Sequence, residues 1–192
     1  VWFRYGRKIM PDTFSMSLII IGLYFGIKLI YEHRNQWRNA LLFLLLTAAG
    51  LLSKLPSGYL LIVLALPVLD PRAKSSNKIA LIVGGLLALV PVAWWYFYWS
   101  PHLTETYGFW HFFMGKPISQ GLTEIIENGA QVAARFYDSA FKYSGFVLFA
   151  VGLTFAVIRR QHLLLRILGL SSLAFAVVVI KGGWTFAHHE YY

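Results

Sequence analysis

Apolar runs separated by short polar breaks recur along the whole chain, and six stand out: residues 12–31, 37–53, 55–69, 79–99, 143–158 and 163–180. A helix that crosses a bilayer needs about 20 predominantly apolar residues. The first, fourth and sixth runs reach that length, and the second, third and fifth are shorter. The pair 37–69 is too long for one helix and is interrupted by Ser53-Lys54-Leu55-Pro56-Ser57-Gly58. This break predicts a tight helical hairpin whose returning helix is opened by Pro56, a residue suited to a first helical position. A re-entrant hairpin that does not cross fully is the alternative. No sustained alternation of period two occurs, so a transmembrane barrel is not expected. The expected fold is all-α: a polytopic transmembrane helical bundle of about six spans.

The connection 100–142 is long. Within 122–142, apolar Ile125, Ile126, Val132, Phe136 and Phe141 interleave at helical spacing with Glu124, Glu127, Arg135, Asp138 and Lys142. This pattern predicts an amphipathic loop helix lying along the membrane surface, with Trp110-His111-Phe112-Phe113 dipping into the interface ahead of it.

Composition sharpens the membrane reading. Of 192 residues, 58% are hydrophobic and only 13% charged, and mean hydropathy is +0.60. A soluble domain carries about 25% charged residues, so a soluble single-core domain and a disordered chain are both excluded. The chain has no cysteine, which removes disulfides, zinc–thiolate sites and thiol nucleophiles from consideration. Its net charge of +9 is spread over short connections rather than gathered in a patch, so anionic lipid and not nucleic acid is the expected counterpart.

That charge also suggests an orientation. The connections 31–39, 70–78 and 159–166 together hold eight Lys and Arg, as many as the longer segments 1–11, the Lys54 turn, 100–142 and 181–192 combined. The denser set is expected in the cytoplasm. Asp12, Lys54, the 100–142 loop and the end segment then share the exoplasmic side. Trp94, Trp95, Tyr96, Tyr98 and Trp99 form an aromatic belt where the fourth span leaves the bilayer. The chain opens on Val1 and ends on Tyr192, and it reads as a fragment of a longer protein, a single transmembrane domain over 1–192.

Ionisable groups at membrane depth are costly and mark candidate sites. Asp12 follows Met10-Pro11 at the start of a span, where it suits either a helix cap or a carboxylate that binds a metal or a substrate hydroxyl. Lys54 sits at the hairpin turn, either snorkelling or neutralising a lipid phosphate. Lys28 is expected to snorkel. Arg4, Arg7 and Lys8 form a basic strip suited to phosphate. The end segment, from Lys181-Gly182-Gly183-Trp184 to His188-His189-Glu190-Tyr191-Tyr192, gathers polar and aromatic groups fit for acid–base or metal chemistry. No P-loop, nucleophile elbow or zincin motif is present.

Several of these segments together resemble the membrane core of the GT-C-fold glycosyltransferases, the group of dolichyl-phosphate-mannose protein mannosyltransferases and lipid A aminoarabinose transferases. The matching pieces are Arg7-Lys8-Ile9-Met10-Pro11-Asp12 opening a span, Gly50 to Gly58 around Lys54, the span end at 91–99 followed by Trp110-His111-Phe112-Phe113, and Lys181-Gly182 leading to His188-His189-Glu190-Tyr191-Tyr192. The resemblance implies transfer of a sugar from a polyprenyl-phosphate carrier to an exoplasmic lipid, glycan or protein acceptor, in a bacterial cytoplasmic membrane. It implies catalytic roles for Asp12, His189 and Glu190, and contact with phosphate or substrate for Arg7, Lys54, Lys181, Tyr191 and Tyr192. It also implies a divalent metal ion at Asp12. Such enzymes carry their main catalytic acid in an earlier exoplasmic loop that this chain lacks, so the chain alone is expected to be inactive. A transporter or flippase for a lipid-linked or anionic substrate, and a structural subunit of a membrane complex, are the competing readings. Paired repeats or interrupted helices would mark the transporter.

Overall fold

The computed structural model describes residues 11–32, 34–108 and 117–188. All regular elements among them are helical, with no strand, and the chain is an all-α membrane protein. The described residues fall into two compact units, 11–108 and 117–188.

In the first unit, α1 (Pro11–Tyr31) and α2 (Gln36–Ser53) pack as an antiparallel hairpin. Asn35 precedes α2 with φ of 56°, a left-handed conformation that asparagine tolerates better than most residues. The two helices approach closely because glycine stands at their crossing. A Cβ on Gly50 would lie 2.8 Å from Ile19 Cδ1, and one on Gly22 would lie 3.0 Å from Thr47 Oγ1. Dispersion and shape, rather than expulsion of water, hold helices together in lipid. Ile19, Leu51 and Val92 form a small core at the Lys54 end, and Leu29, Ile30, Phe43, Leu64 and Leu81 form a larger one at the opposite end.

That opposite end is stitched by polar groups. Asn77, buried at the start of α4 (Ser75–Trp94), donates from Nδ2 to Ile30 O at 3.0 Å and accepts from Gln36 Nε2 at 3.0 Å. Asp70 accepts from the Arg72 backbone N–H and from the Tyr31 hydroxyl. These bonds, the Arg72 bond foremost, hold its carboxyl below the usual carboxylate range.

The hairpin predicted over 37–69 is present, but its returning limb is not the α-helix expected. Leu55–Leu64 winds as a 3₁₀ helix with Pro56 in its first turn, and only then does α3 (Ala65–Leu69) begin. Gly58 is pressed against Leu51, where a Cβ would lie 2.6 Å from Cδ2. The winding also alters reach. A 3₁₀ helix rises about 2.0 Å per residue against 1.5 Å for an α-helix. The limb thereby extends roughly 27 Å, close to the ~30 Å hydrocarbon thickness, where a wholly α-helical limb of that length would reach only about 22 Å.

The fourth run also differs from expectation at its end. Pro91 lies within α4, and the helix passes through a π turn at Trp95–Trp99 into α5 (Ser100–Tyr107) instead of giving way to a loop at Ser100. Proline removes an N–H and crowds the preceding turn, and the wider π turn follows within a few residues. The aromatic rim sits on this turn. Trp94 stacks on Trp99 at 5.5 Å, and Tyr98 on His102 at 6.5 Å.

The second unit contains α6 (Ile118–Glu127), α7 (Gly129–Ala134), a π turn at Arg135–Ala140, α8 (Ser144–Ile158), α9 (His162–Gly182) and α10 (Trp184–His188). The amphipathic loop helix thus exists, but it begins before residue 122 and is broken at Asn128. Trp110-His111-Phe112-Phe113 lies outside the described residues.

Among the described residues, three helical stretches are long and apolar enough to cross a membrane: Asp12–Tyr31, Ser75–Tyr107 and His162–Gly182. They are the first, fourth and sixth runs. Leu55–Leu69 and Ser144–Ile158 are shorter apolar helices. Large side chains such as Leu86, Val90, Leu148 and Leu173 stay exposed, which acyl chains accommodate and water does not.

Candidate functional site

The site begins with the order of residues at two helix ends. Pro11, lacking an N–H that would go unsatisfied there, stands at the start of α1, and Asp12 follows in the first turn. At the far end of α2 the chain leaves the helix at Lys54, which is extended at φ −160° and ψ 106°. The antiparallel hairpin brings these two ends together, and Lys54 Nζ forms an ion pair with Asp12 Oδ1. Each charge also suits its own helix, an anion at an N-terminus and a cation at a C-terminus.

Ser15 locks this arrangement. It is fully buried, and its Oγ donates to Gly50 O at 2.6 Å and lies 3.2 Å from Lys54 O. One hydroxyl therefore ties the second turn of α1 to the last turn of α2 and to the backbone of Lys54. On the far side, Tyr96 Oη reaches Leu51 O at 3.5 Å.

The pair sits at a rim. The Asp12 and Lys54 side chains are 30% and 25% exposed. Asp12 Oδ2 is buried and has no hydrogen-bond partner among the described residues. Buried polar oxygens are normally satisfied, so this atom is the unspent acceptor of the site.

The geometry revises two expectations. Asp12 lies within the first turn of α1, and its carboxylate turns to the Lys54 side chain, so the reading as a simple helix cap gives way to an ion pair. Lys28 does not merely snorkel: its Nζ pairs with Glu32 at 3.1 Å and lies 5.2 Å from the Tyr24 ring centre. As for a metal at Asp12, no group of three His, Asp or Glu side chains converges among the described residues. One oxygen of Asp12 is held by Lys54.

Lys181 belongs to the second unit, in the last turn of α9, where it is half-buried. Beyond it Gly183 adopts φ 51° and ψ −131°, a backbone region open essentially to glycine alone, and this turn starts α10. There Trp184 stacks on His188 at 4.5 Å. Arg7, His189, Glu190, Tyr191 and Tyr192 lie outside the described residues. Sequence reasoning overlooked Ser15, although a hydroxyl set among apolar neighbours one turn after Asp12 is a detectable signal.

The family model of the dolichyl-phosphate-mannose-protein mannosyltransferases matches residues 1–97, a span that contains Asp12, Ser15 and Lys54. No curated protein and no solved structure matches the chain. The match covers just over half of the 192 residues and includes the whole α1–α2 hairpin with its ion pair. The chain accordingly belongs to the dolichyl-phosphate-mannose-protein mannosyltransferase family, a family of membrane glycosyltransferases.

Proposed function

We infer that this chain is part of a glycosyltransferase that moves a sugar from a polyprenyl-phosphate carrier to an acceptor at the exoplasmic face of a bacterial cytoplasmic membrane. An acceptor oxygen attacks the anomeric carbon, the bond from that carbon to the carrier phosphate breaks, and its electron pair leaves with the phosphate. The acceptor proton passes to a base. The developing charge on the phosphate calls for a fixed cation near it.

The observation that carries this reading is the Asp12–Lys54 pair at the hairpin rim, with Asp12 Oδ2 buried and unpartnered among the described residues. Lys54 serves the carrier phosphate from its place at the hairpin rim, and Asp12 Oδ2 accepts from a hydroxyl of the acceptor or the sugar. A paired site also avoids a bare charge at the membrane edge when no substrate is bound. Arg7 adds a second cation for the phosphate. The family resemblance implies substrate contact for Lys181, Tyr191 and Tyr192, and proton transfer for His189 and Glu190. The Lys and Arg density of 31–39, 70–78 and 159–166 supports a cytoplasmic position for those connections and an exoplasmic one for the pair.

Lys54→Met and Asp12→Asn in the full-length protein test the roles. With a polyprenyl-phosphate-linked hexose in proteoliposomes, each variant is expected to lose about 10²-fold or more in transfer, the range for removal of one electrostatic contact. Wild-type turnover by a folded Lys54→Met variant would take the phosphate role away from Lys54.

A further inference from the structure

A helix that ends leaves its last carbonyls without helical partners, and the helix that follows begins with N–H groups in the same condition. At the Lys54 break this bears on one pair above all. Had α2 run on, the Leu55 N–H would bond the carbonyl of Leu51, four residues back. Lys54 is extended instead, and that rung of the ladder is broken. Leu51 is buried, where a polar group left unbonded is costly.

Tyr96 enters the gap. Its Oη donates to Leu51 O across 3.5 Å, and the Leu55 backbone hydrogen-bonds the same hydroxyl. A phenol donates and accepts at once, so one hydroxyl stands between the two halves of the broken rung. A side chain inserted into the helical ladder is a known cause of a sharp bend.

The ring is placed for this. Tyr96 lies in the π turn Trp95–Trp99 that follows Pro91. It comes one turn after buried Val92, and so on the same face, and it packs against the core of Ile19, Leu51 and Val92. The next two residues of the turn, Phe97 and Tyr98, are exposed and suit an aromatic rim. Tyr96 is half-buried and serves the hairpin instead. Lys54 is thus flanked by two hydroxyls from different helices. Ser15 of α1 bonds Gly50 O and Lys54 O, and Tyr96 bonds the residues on either side.

We propose that Tyr96 is a positioning residue for Lys54: its hydroxyl holds open the break between Leu51 and Leu55 and so sets where the Lys54 ammonium stands at the rim. This rests on the reading of Lys54 as the cation for the carrier phosphate. A cation acting on charge that develops as the phosphate leaves matters most in the transition state. Loss of its placement is therefore felt in kcat more than in KM.

The test uses the full-length protein in proteoliposomes with a polyprenyl-phosphate-linked hexose. Tyr96→Phe keeps the ring and its packing and removes only the hydroxyl. It is expected to lower kcat about tenfold, within the range for a displaced catalytic contact, with KM for the donor within about twofold of wild type. In a Lys54→Met background the same change is expected to alter kcat by less than about twofold, because residues that act through one another are not additive. Hydrogen exchange of the Leu55 amide is expected to speed about fivefold or more in Tyr96→Phe, while exchange over 36–50 stays as in wild type. Unchanged exchange at Leu55, or wild-type kcat in Tyr96→Phe, would overturn the proposal. Faster exchange throughout 36–50, or an equal loss of kcat in both backgrounds, would make Tyr96 a structural residue and overturn the positioning role. Wild-type turnover by Lys54→Met would defeat the reading of Lys54 itself, and the proposal with it, whatever the exchange at Leu55 shows.

Discussion

Single residues decide whether the two charges at the rim can meet. Ser15 is the most economical of them, because one buried hydroxyl spans Gly50 O and Lys54 O. Ser15→Ala removes the donor and leaves those carbonyls with fewer partners in a dry crossing. A lost buried hydrogen bond costs about 1–3 kcal/mol when its partner stays unsatisfied. Ser15→Ala is therefore expected to lower the midpoint of thermal unfolding in detergent and to reduce transfer further by loosening Lys54. Stability equal to wild type would show that the hydroxyl contributes nothing net. The chemical character of Asp12 and Lys54 could be read from their positions in the sequence, since ionisable groups beside apolar runs are conspicuous. Their pairing could not, because a sequence separation of 42 leaves the geometry to the hairpin.

Among the elements, the α1–α2 crossing bears the site. Its tightness is a matter of missing side chains, and glycine substitutions measure it directly. A Cβ on Gly50 would meet Ile19 Cδ1 at 2.8 Å, Ile19 Cγ1 at 2.9 Å and Ser15 O at 3.3 Å. Gly50→Val must push the helices apart, at a cost of about 1–3 kcal/mol for overpacking, and with them Asp12 and Lys54. Gly85 on α4 has nothing within 4 Å of its Cβ position, so Gly85→Ala is expected to be neutral or stabilising by up to about 1 kcal/mol. Equal unfolding midpoints for the two variants would remove the close approach at Gly50 from the account of the site. Element type was readable from the apolar spacing, and so was the break at Lys54. The 3₁₀ winding of Leu55–Leu64 was not, since hydropathy is blind to the difference between three and 3.6 residues per turn. The run-on of α4 into α5 was hidden for a similar reason: Ser100-Pro101 reads as a stop, yet the π turn before it carries the helix through.

The whole molecule carries its charges in two sets of connections, and their sidedness is open to direct measurement. The chain has no cysteine, so single cysteines can be introduced without background from it. Lys74→Cys lies in a dense basic connection and Glu105→Cys in α5, beyond the aromatic rim. In sealed cells an impermeant thiol reagent is expected to label position 105 and to spare position 74 until the membrane is opened, as cytoplasmic placement of the basic connections requires. The reverse pattern would invert the proposed orientation and move the Asp12–Lys54 rim to the cytoplasmic side.

The sequence by itself determined that this protein lives in a bilayer, that it is helical, where its longest helices lie and which ionisable residues stand at their ends. These follow from local properties, namely hydropathy, spacing and the cost of charge in hydrocarbon. Only the tertiary structure decided that Asp12 meets Lys54 across Ser15, that Asp12 Oδ2 stays without a partner among the described residues, and that Tyr96 reaches into the break between Leu51 and Leu55. Such contacts join residues tens of positions apart, and they depend on which helix faces meet and how closely glycine lets them approach. Composition and periodicity describe each helix alone and hold no record of its neighbour.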